Sequence, residues 1–185
     1  MSQPTGPIGP FPPGVDGDDA RDAYDKQRRR VLWKMPSGLY VLGSTDRAGR
    51  RNGMTINWVT QVTFEPKLVA VSVEQTAFTH ELIAASGVFV LNVISQDDRA
   101  IVRKFTKPVD VDLDAHTLNG FPFHDGVSGA PILDQAVAYV DCEVRHQFDL
   151  GDHTLFVGEI VDAAFQTDED TPVLAMSDTR MNYGG

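Results

Sequence analysis

The chain has 185 residues, 42% of them hydrophobic and 23% charged, which is enough to bury the core of one globular domain. Its net charge of −10 argues against general nucleic-acid binding, because that function needs a basic surface that displaces counterions from phosphates. The single cysteine, Cys142, excludes an intrachain disulfide and any Cys-x-x-Cys motif. No segment reads as a secretory signal or as a membrane span, so we expect a cytoplasmic protein.

The charges are unevenly distributed. Seven basic residues fall between Arg28 and Arg51 against one acid, whereas after Pro108 only two basic residues oppose fifteen acids. A local positive field in the first third of the chain would attract a small anion or a phosphate. The alternative is a solvated surface of mixed charge.

The first half of the chain predicts an arm, a helix and several strands. Residues 1–18 are rich in Pro and Gly, which is typical of a flexible arm that precedes one folded domain, residues 19–185. A helix is predicted from about Asp19 and ends before Pro36, because the residue before a proline avoids helical backbone angles. Strands are predicted for GLYVLGS, for the stretch 52–64 and for KLVAVSVE, where Val69, Val71 and Val73 share one face.

The stretch 52–64, NGMTINWVTQVTF, predicts one strand with two different faces. Its even positions are mostly apolar and suit a core: Ile56, Trp58, Thr60, Val62 and Phe64. Its odd positions are mostly hydrogen-bonding groups without charge: Thr55, Asn57, Val59, Gln61 and Thr63. A strand face in water usually carries some charge, so this second face calls for another explanation.

The second half predicts alternating short helices and strands. FTHELIAAS is a helix with Thr79 as its N-cap, GVFVLNVIS is a strand, and QDDRAIVRKFTK is a helix with acids first and bases last. Residues 108–129 are predicted to be mostly loop. AVAYVDCEVRHQFDL and HTLFVGEIVDAAFQ form a hairpin about Gly151-Asp152. The fold class is therefore mainly β: about six antiparallel strands closed into a small Greek-key barrel, with a few flanking helices.

Common catalytic motifs are absent. The sequence contains no dinucleotide fingerprint after a strand, no phosphate-binding P-loop, no serine elbow and no zinc-protease motif. Cys142 and His146 fall on one face of a predicted strand and His153 follows the turn, which leaves a Cys/His metal site as one reading. A buried free cysteine is the other and is favoured, because no fourth ligand is evident.

Several separate pieces carry a family resemblance. MPSGLYVLGS, NGMTINWVTQVTFEPKLVAVSVE and FTHELIAASGVFVLNVIS follow one another between Met35 and Ser95. In this order and spacing the chain resembles the flavin reductase-like, FMN-binding split-barrel family, and LGDHTLFVGEIVDA and the terminal YGG fit the same family. NGMTINWVTQ is most similar to flavoredoxin-like members and to flavin-reductase domains fused to rubredoxin. Many members have a double proline where this chain has Glu65-Pro66-Lys67, a departure that affects only a turn.

The resemblance assigns the uncharged face of the stretch 52–64 to the flavin. It implies that the strand after the Asn-Gly turn lies along the flavin ring, with contacts from Met54, Thr55, Ile56, Asn57 and Trp58. Thr55 and Asn57 would offer neutral donors and acceptors to the ring edge, or they would pair across the sheet. Trp58 would either contact the flavin from beneath or pack in the core.

The FMN phosphate is implied near the end of the next strand and the start of the following helix, at Ser72, Glu74, Gln75, Thr76, Thr79 and His80. A helix N-terminus with hydroxyls nearby suits a phosphate, and Glu74 is expected to point away from it. Asn92 and Lys104 complete the implied cofactor contacts. Lys104 and Lys107 also suit the end of a helix without any phosphate.

His153 corresponds to a histidine that the family places near the exposed flavin face, where nicotinamide stacks; the alternative is a solvated hairpin histidine. The resemblance implies a homodimeric FMN oxidoreductase that transfers a hydride from NAD(P)H to flavin and supplies a monooxygenase or another electron carrier. Two alternatives stay open: a flavoredoxin-like electron carrier without its own NAD(P)H site, and reduction by a deazaflavin. Both faces of the strand that contains Val88 and Phe89 are apolar, so we expect a helix or a partner to cover each face.

Overall fold

The computed structural model describes residues 11–181, so most of the predicted arm and the terminal YGG lie outside the described residues. The described chain forms two compact units: residues 11–36 with 180–181, and residues 37–179. No helix among the described residues is long and apolar enough to cross a membrane.

The first unit contains the predicted N-terminal helix, α1 (Asp18–Leu32). Acids occupy its first turn and arginines its last turn, which complements the helix dipole. The ring of Phe11, before the helix, packs edge-on against Tyr24 with ring centroids 6.2 Å apart. The prediction of this helix is confirmed, although it ends four residues before Pro36.

The second unit contains eleven strands and two α-helices within residues 37–179. In chain order they are β1 (Tyr40–Thr45), β2 (Arg51–Ile56), β3 (Val59–Thr63), β4 (Leu68–Glu74), α2 (Phe78–Ser86), β5 (Val88–Val93), α3 (Ile101–Lys104), β6 (Val111–Asp112), β7 (Thr117–Leu118), β8 (Phe121–Asp125), β9 (Pro131–Leu133), β10 (Ala138–Asp149) and β11 (His153–Phe165). The predicted helix QDDRAIVRKFTK is in fact a short 3-10 turn, Gln96–Asp98, followed by the single α-turn of α3.

The main sheet has seven strands in the order β2-β1-β5-β10-β11-β4-β3, and each neighbouring pair is antiparallel. Its two edges, β2 and β3, are consecutive in the chain and are joined by Asn57 and Trp58 alone. In a flat sheet six strand spacings would separate these edges by about 29 Å, whereas a link of this length reaches about 11 Å. The sheet must therefore curl until its edges meet, which confirms the predicted barrel.

The inside of the barrel is the main core. Ten buried residues pack there: Leu42, Ile56, Val69, Val71, Val73, Ile83, Phe89, Leu91, Cys142 and Phe156. The predicted shared face of Val69, Val71 and Val73 on β4 is confirmed. The residue Ile83 brings α2 into the same core, so this helix covers the barrel from one side.

A second sheet, of order β6-β7-β8-β9, covers part of the outer surface. Ala130 and Ile132 from this region pack on Val88 and Val90 of β5, all four with 0 to 1% exposure. Residues 108–129 are mostly loop, as predicted, but they also contain the short strands β6, β7 and β8, which at two to five residues are too short to show an alternating pattern. The chain itself therefore covers the second apolar face of β5.

The second sheet approaches β1 so closely that Gly43 has no room for a side chain. A Cβ on Gly43 would overlap the carbonyl oxygen of Pro131 in β9. We expect Gly43→Ala to lower the free energy of unfolding by about 1–3 kcal/mol, the usual cost of overpacking. Ser44→Ala is the matched control on the same strand: the Ser44 hydroxyl is buried without a hydrogen-bond partner, so its removal should cost little. Urea unfolding of both variants measures this, and equal losses of stability would contradict the close packing.

Candidate functional site

The stretch 52–64 is two strands, not one. It breaks at Asn57-Trp58, where the chain passes from one edge of the main sheet to the other. The prediction of an apolar core face along its even positions is wrong beyond the break, because Val62 and Phe64 are 47% and 88% exposed. Ile56, before the break, is 5% exposed and does lie in the core.

Asn57 is a nearly buried amide at this break. It is 8% exposed, and its side chain has no hydrogen-bond partner among residues 11–181. Its backbone carbonyl accepts a hydrogen bond from Val59 N–H at 3.1 Å, which shapes the turn between the strands. The side-chain amide is thus left to bond to a ligand or to water.

Trp58 lies beside His153. The two ring centroids are 4.9 Å apart at an interplanar angle of 53°, and Trp58 is 38% exposed. The carbonyl of Trp58 accepts a hydrogen bond from Ser72 N–H at 3.1 Å, which ties the break to β4. His153 begins β11 and lies opposite Glu74, the last residue of β4. We call Asn57, Trp58 and His153 the seam.

His153 is held by its neighbour in sequence. Its Nδ1 lies 2.9 Å from Asp152 Oδ1, and its side chain is only 14% exposed while that of Asp152 is 79% exposed. The hydrogen bond from His153 lowers the pKa of the Asp152 carboxyl. Nε2 of His153 has no hydrogen-bond partner in the described part of the chain, so it is the ring atom left for a ligand.

The start of α2 differs from the prediction. Thr79 is not the N-cap: Ala77 occupies that position, and Thr79 is the second helical residue with 0% exposure. Its hydroxyl accepts a hydrogen bond from Asn52 Nδ2 at 2.8 Å, which fastens β2 to α2. Thr79 is therefore not available to contact a ligand directly; its role is to position α2.

Arg50 is a residue near the start of α2 that sequence analysis did not single out. Its Nη1 lies 2.6 Å from Glu81 Oε1, and its guanidinium lies 5.6 Å from the centre of the Phe78 ring. A second ion pair joins it to Asp46 at 2.6 Å. The only signal in the sequence was its place in the run of basic residues between Arg28 and Arg51.

The other residues predicted near a phosphate also lie around the end of β4. Ser72 is half-buried next to Trp58, and Thr76 is exposed and donates to Glu74 Oε1 at 2.9 Å. His80 is half-buried, with Nε2 2.8 Å from Thr154 Oγ1 and its ring 5.3 Å from that of Phe156. Burial lowers the pKa of His80, so its neutral form is favoured.

The three residues before Asn57 have other contacts. Thr55 donates its N–H to Phe105 O at 3.0 Å and its hydroxyl to Val102 O. Met54 packs against the main core that contains Ile56. The hydroxyl predicted to serve the flavin is therefore already hydrogen-bonded to the segment around α3.

Asn92 does not agree with its predicted contact to a cofactor. It is 0% exposed; its Nδ2 donates to Val41 O at 3.1 Å and to Pro131 O at 3.4 Å, and its Oδ1 accepts from Leu133 N–H at 2.7 Å. It joins β5 to β1 and β9 and has no group left for a ligand. Lys104 ends α3 with an exposed side chain, and its carbonyl accepts a hydrogen bond from Asn119.

Cys142 and His146 do not share an environment. Cys142 is fully buried in the barrel, and burial together with the neighbouring Asp141 raises the pKa of its thiol to about 12. His146 is exposed near Phe148, and the strand pairing is irregular between Val144 and His146. No group of three metal-ligating side chains is found among the described residues.

Comparison with known proteins places this geometry in context. The model of the flavin reductase like domain family matches residues 32–185. The NADH-dependent FAD reductase of Streptomyces globisporus is 33% identical over 74% of this chain and 74% of that protein. The ferric-chelate reductase (NAD(P)H) of Archaeoglobus fulgidus is 32% identical over 84% of this chain and 90% of that protein.

The fold is also similar to that of a flavin oxidoreductase of known structure. The Streptomyces globisporus C-1027 NADH:FAD oxidoreductase SgcE6, in complex with NAD and FAD fragments, has a TM-score of 0.72 and 27% identity to this chain. The match covers 92% of this chain and 97% of that chain.

The lowered pKa of His80 has a consequence for stability. Above about pH 6.5 the histidine is neutral in both the folded and the unfolded chain. As the pH falls, the unfolded chain takes up this proton first, so the free energy of unfolding decreases until the pH passes below the lowered folded pKa. We expect the melting temperature of the wild type minus that of His80→Gln to decrease between pH 7.5 and 5.5. A constant difference for His80→Gln over this range would contradict the assignment.

Proposed function

We propose that this chain, which belongs to the flavin reductase-like domain family, binds FMN at the seam and transfers a hydride from NAD(P)H to flavin. The observation that carries the proposal is the seam: Asn57, 8% exposed and without a side-chain hydrogen bond among residues 11–181, lies beside Trp58, whose ring centroid is 4.9 Å from that of His153. When bound, flavin supplies the redox chemistry, accepting a hydride and releasing electrons singly or in pairs. The protein needs no acid–base pair for this reaction, and its residues bind, orient and exclude water.

Asn57 fits the polar edge of a flavin ring. Its amide offers two N–H donors and one carbonyl acceptor, which match the ring's carbonyl oxygens and nitrogens. β2 and β3 are the edges of the sheet, so each has backbone groups on one side that no strand pairs. Hydrogen bonds from a neutral amide hold the ring without adding a fixed charge that would shift its potential.

The start of α2 fits the phosphate of FMN. The first N–H groups of a helix have no partner within the helix and attract an anion. Arg50 lies beside this turn, at 5.6 Å from the Phe78 ring, and supplies positive charge next to it. Thr79 and Asn52 fix the helix against β2, while the Thr76 hydroxyl is exposed at the same turn. Glu74 is exposed and bonded to Thr76, so the phosphate must lie on the Arg50 side of the turn.

Nicotinamide is assigned to the His153 side of the seam. Asp152 accepts a hydrogen bond from Nδ1, which fixes the ring so that Nε2 remains for the carboxamide of nicotinamide. The Trp58 ring packs on His153 and limits its rotation. His153 is thus a binding and orienting residue, and no proton transfer from it is required.

Steady-state oxidation of NADH and of NADPH, each with FMN or FAD supplied, tests the function. The proposal expects turnover well above the uncatalysed background with at least one pair of nucleotide and flavin. FMN is the expected flavin, and a clear preference for FAD would correct that assignment alone. Turnover at background with every pair, together with a flavin that another protein can reduce, would favour the flavoredoxin-like electron carrier.

His153→Ala should raise KM for NAD(P)H or slow flavin reduction, with flavin affinity nearly unchanged, because only the nicotinamide contact is lost. Stopped-flow reduction and flavin titration measure the two effects separately. His146→Ala is the matched control, an exposed histidine on the preceding strand. If His153→Ala lowers only the melting temperature, the residue is structural and the assignment is wrong.

The acceptor and the assembly complete the proposal. Reduced flavin or its electrons would pass to a partner monooxygenase or to another carrier, and the expected cytoplasmic location stays a prediction.

We also propose a two-fold homodimer. On the outer face of the barrel, Leu68, Ala70 and Val157 form an apolar cluster, and large apolar side chains nearby on the same sheet are exposed, including Val62 and Phe148. Such a patch is typical of a protein interface.

A further inference from the structure

One side of α1 forms an exposed groove. Five residues spaced three or four apart, and therefore on one helical face, line it: Tyr24, Gln27, Arg28, Val31 and Leu32. Val31 and Leu32 are 62% and 50% exposed, and no residue of α1 is buried. Phe11 packs at Tyr24, near the beginning of the groove, and the Arg28 guanidinium lies 5.0 Å from the centre of the Phe11 ring.

A helix whose apolar side chains are this exposed is stabilised when another protein surface packs on them. Most helical stability in proteins comes from packing an amphipathic face, and an isolated helix of 12 to 15 residues is marginal in water. α1 has 15 residues and its ion pairs are exposed, so they contribute little. Two adjacent large apolar side chains at its end therefore indicate a docking surface.

Charge indicates which surface is complementary. Residues 28–34, RRRVLWK, carry four basic side chains and no acid, at the end of α1 where Val31 and Leu32 lie. Residues 37–179 contain nine Lys and Arg against 21 Asp and Glu, a net charge of −12. The basic end of α1 is thus attracted to the acidic unit of another copy. A membrane or nucleic acid is a poorer fit, because a chain of net charge −10 is repelled by an anionic surface.

We propose that the groove of α1, through Val31 and Leu32, docks on residues 37–179 of a second copy of this chain. The inference deepens the dimer proposed above and rests on it. Docking covers the two apolar side chains and places the basic segment 28–34 against the acidic unit of the partner. It makes α1 the arm that joins the two subunits.

Hydrogen exchange of the full-length protein, measured together with its mass by light scattering, tests the docking. Across a hundredfold change in protein concentration that spans the monomer–dimer transition, the amides of α1 should become protected in step with the dimer. Protection that does not depend on concentration would mean that the same chain covers the groove, and would overturn the proposal. A dimer whose α1 amides exchange rapidly at every concentration would refute docking and leave the dimer intact, whereas a monomer at every concentration refutes both.

A pair of variants locates the contact. Val31→Ser with Leu32→Ser should weaken dimerisation by about tenfold or more, as expected for apolar anchors at an interface. Asp22→Ser with Lys26→Ser is the matched control, with the same serines on the opposite face of α1 and no change of net charge, and should leave the dimer unchanged. NAD(P)H oxidation by the separated subunits should be the same in both variants. Equal dimerisation of the two variants, or binding of the wild type to vesicles that contain anionic lipid and release by Val31→Ser with Leu32→Ser, would overturn the proposal.

Discussion

The link of two residues between β2 and β3 is the constraint on which the molecule depends. These strands are consecutive in the chain but lie at opposite edges of a seven-stranded sheet, so the sheet can form only if it curls on itself. Curling creates the closed core of valine, leucine and phenylalanine side chains and at the same time brings the two edge strands together at the link. The fold thus forms the seam by the same step that closes its core.

In the proposed function, charged groups and neutral hydrogen-bonding groups around the seam have different roles in binding. Asn57 and the strand edges are neutral, which suits a ring whose redox state must change without a fixed bias. Arg50 stands at the start of α2, whereas Asp152 and Glu74 lie on the His153 side. Under the proposed function, Arg50 serves the phosphate of the flavin and His153 serves the nicotinamide. Arg50 forms ion pairs with Asp46 and Glu81. These pairs fix the position of its guanidinium and reduce the positive potential around it.

Sequence reasoning predicted what depends on long patterns. The alternating valines of β4, the hairpin of β10 and β11 and the helix α2 all carry a regular period, and each was confirmed. The barrel followed from the number and order of strands. What the pattern missed is set by contacts between distant segments: the break at Asn57-Trp58 has no turn signal, because neither residue is Gly or Pro, and the short strands β6 to β9 form by packing on β1 and β5.

In the candidate site, too, some residues could be predicted from the sequence, whereas others depend on contacts between distant segments. Of the residues that the resemblance implied, Trp58 and His153 lie against each other, next to Asn57, and their role in binding flavin stays a prediction. The resemblance also included Asn92, whose amide is bonded entirely to backbone, and Thr79, whose burial inside α2 no one-dimensional pattern reveals. Arg50 entered only as one of seven basic residues, since the sequence does not show which of them the fold brings to a helix start.

The claim that the link between β2 and β3 holds the flavin ring is tested most directly by flavin titration of Asn57→Ala, followed through quenching of flavin fluorescence. Loss of a neutral hydrogen bond of about 0.5–1.5 kcal/mol predicts a dissociation constant raised by roughly two- to tenfold, with an unchanged melting temperature. Gln61→Ala, exposed on β3, should bind flavin as the wild type does. Equal flavin affinity of Asn57→Ala and the wild type would contradict this account.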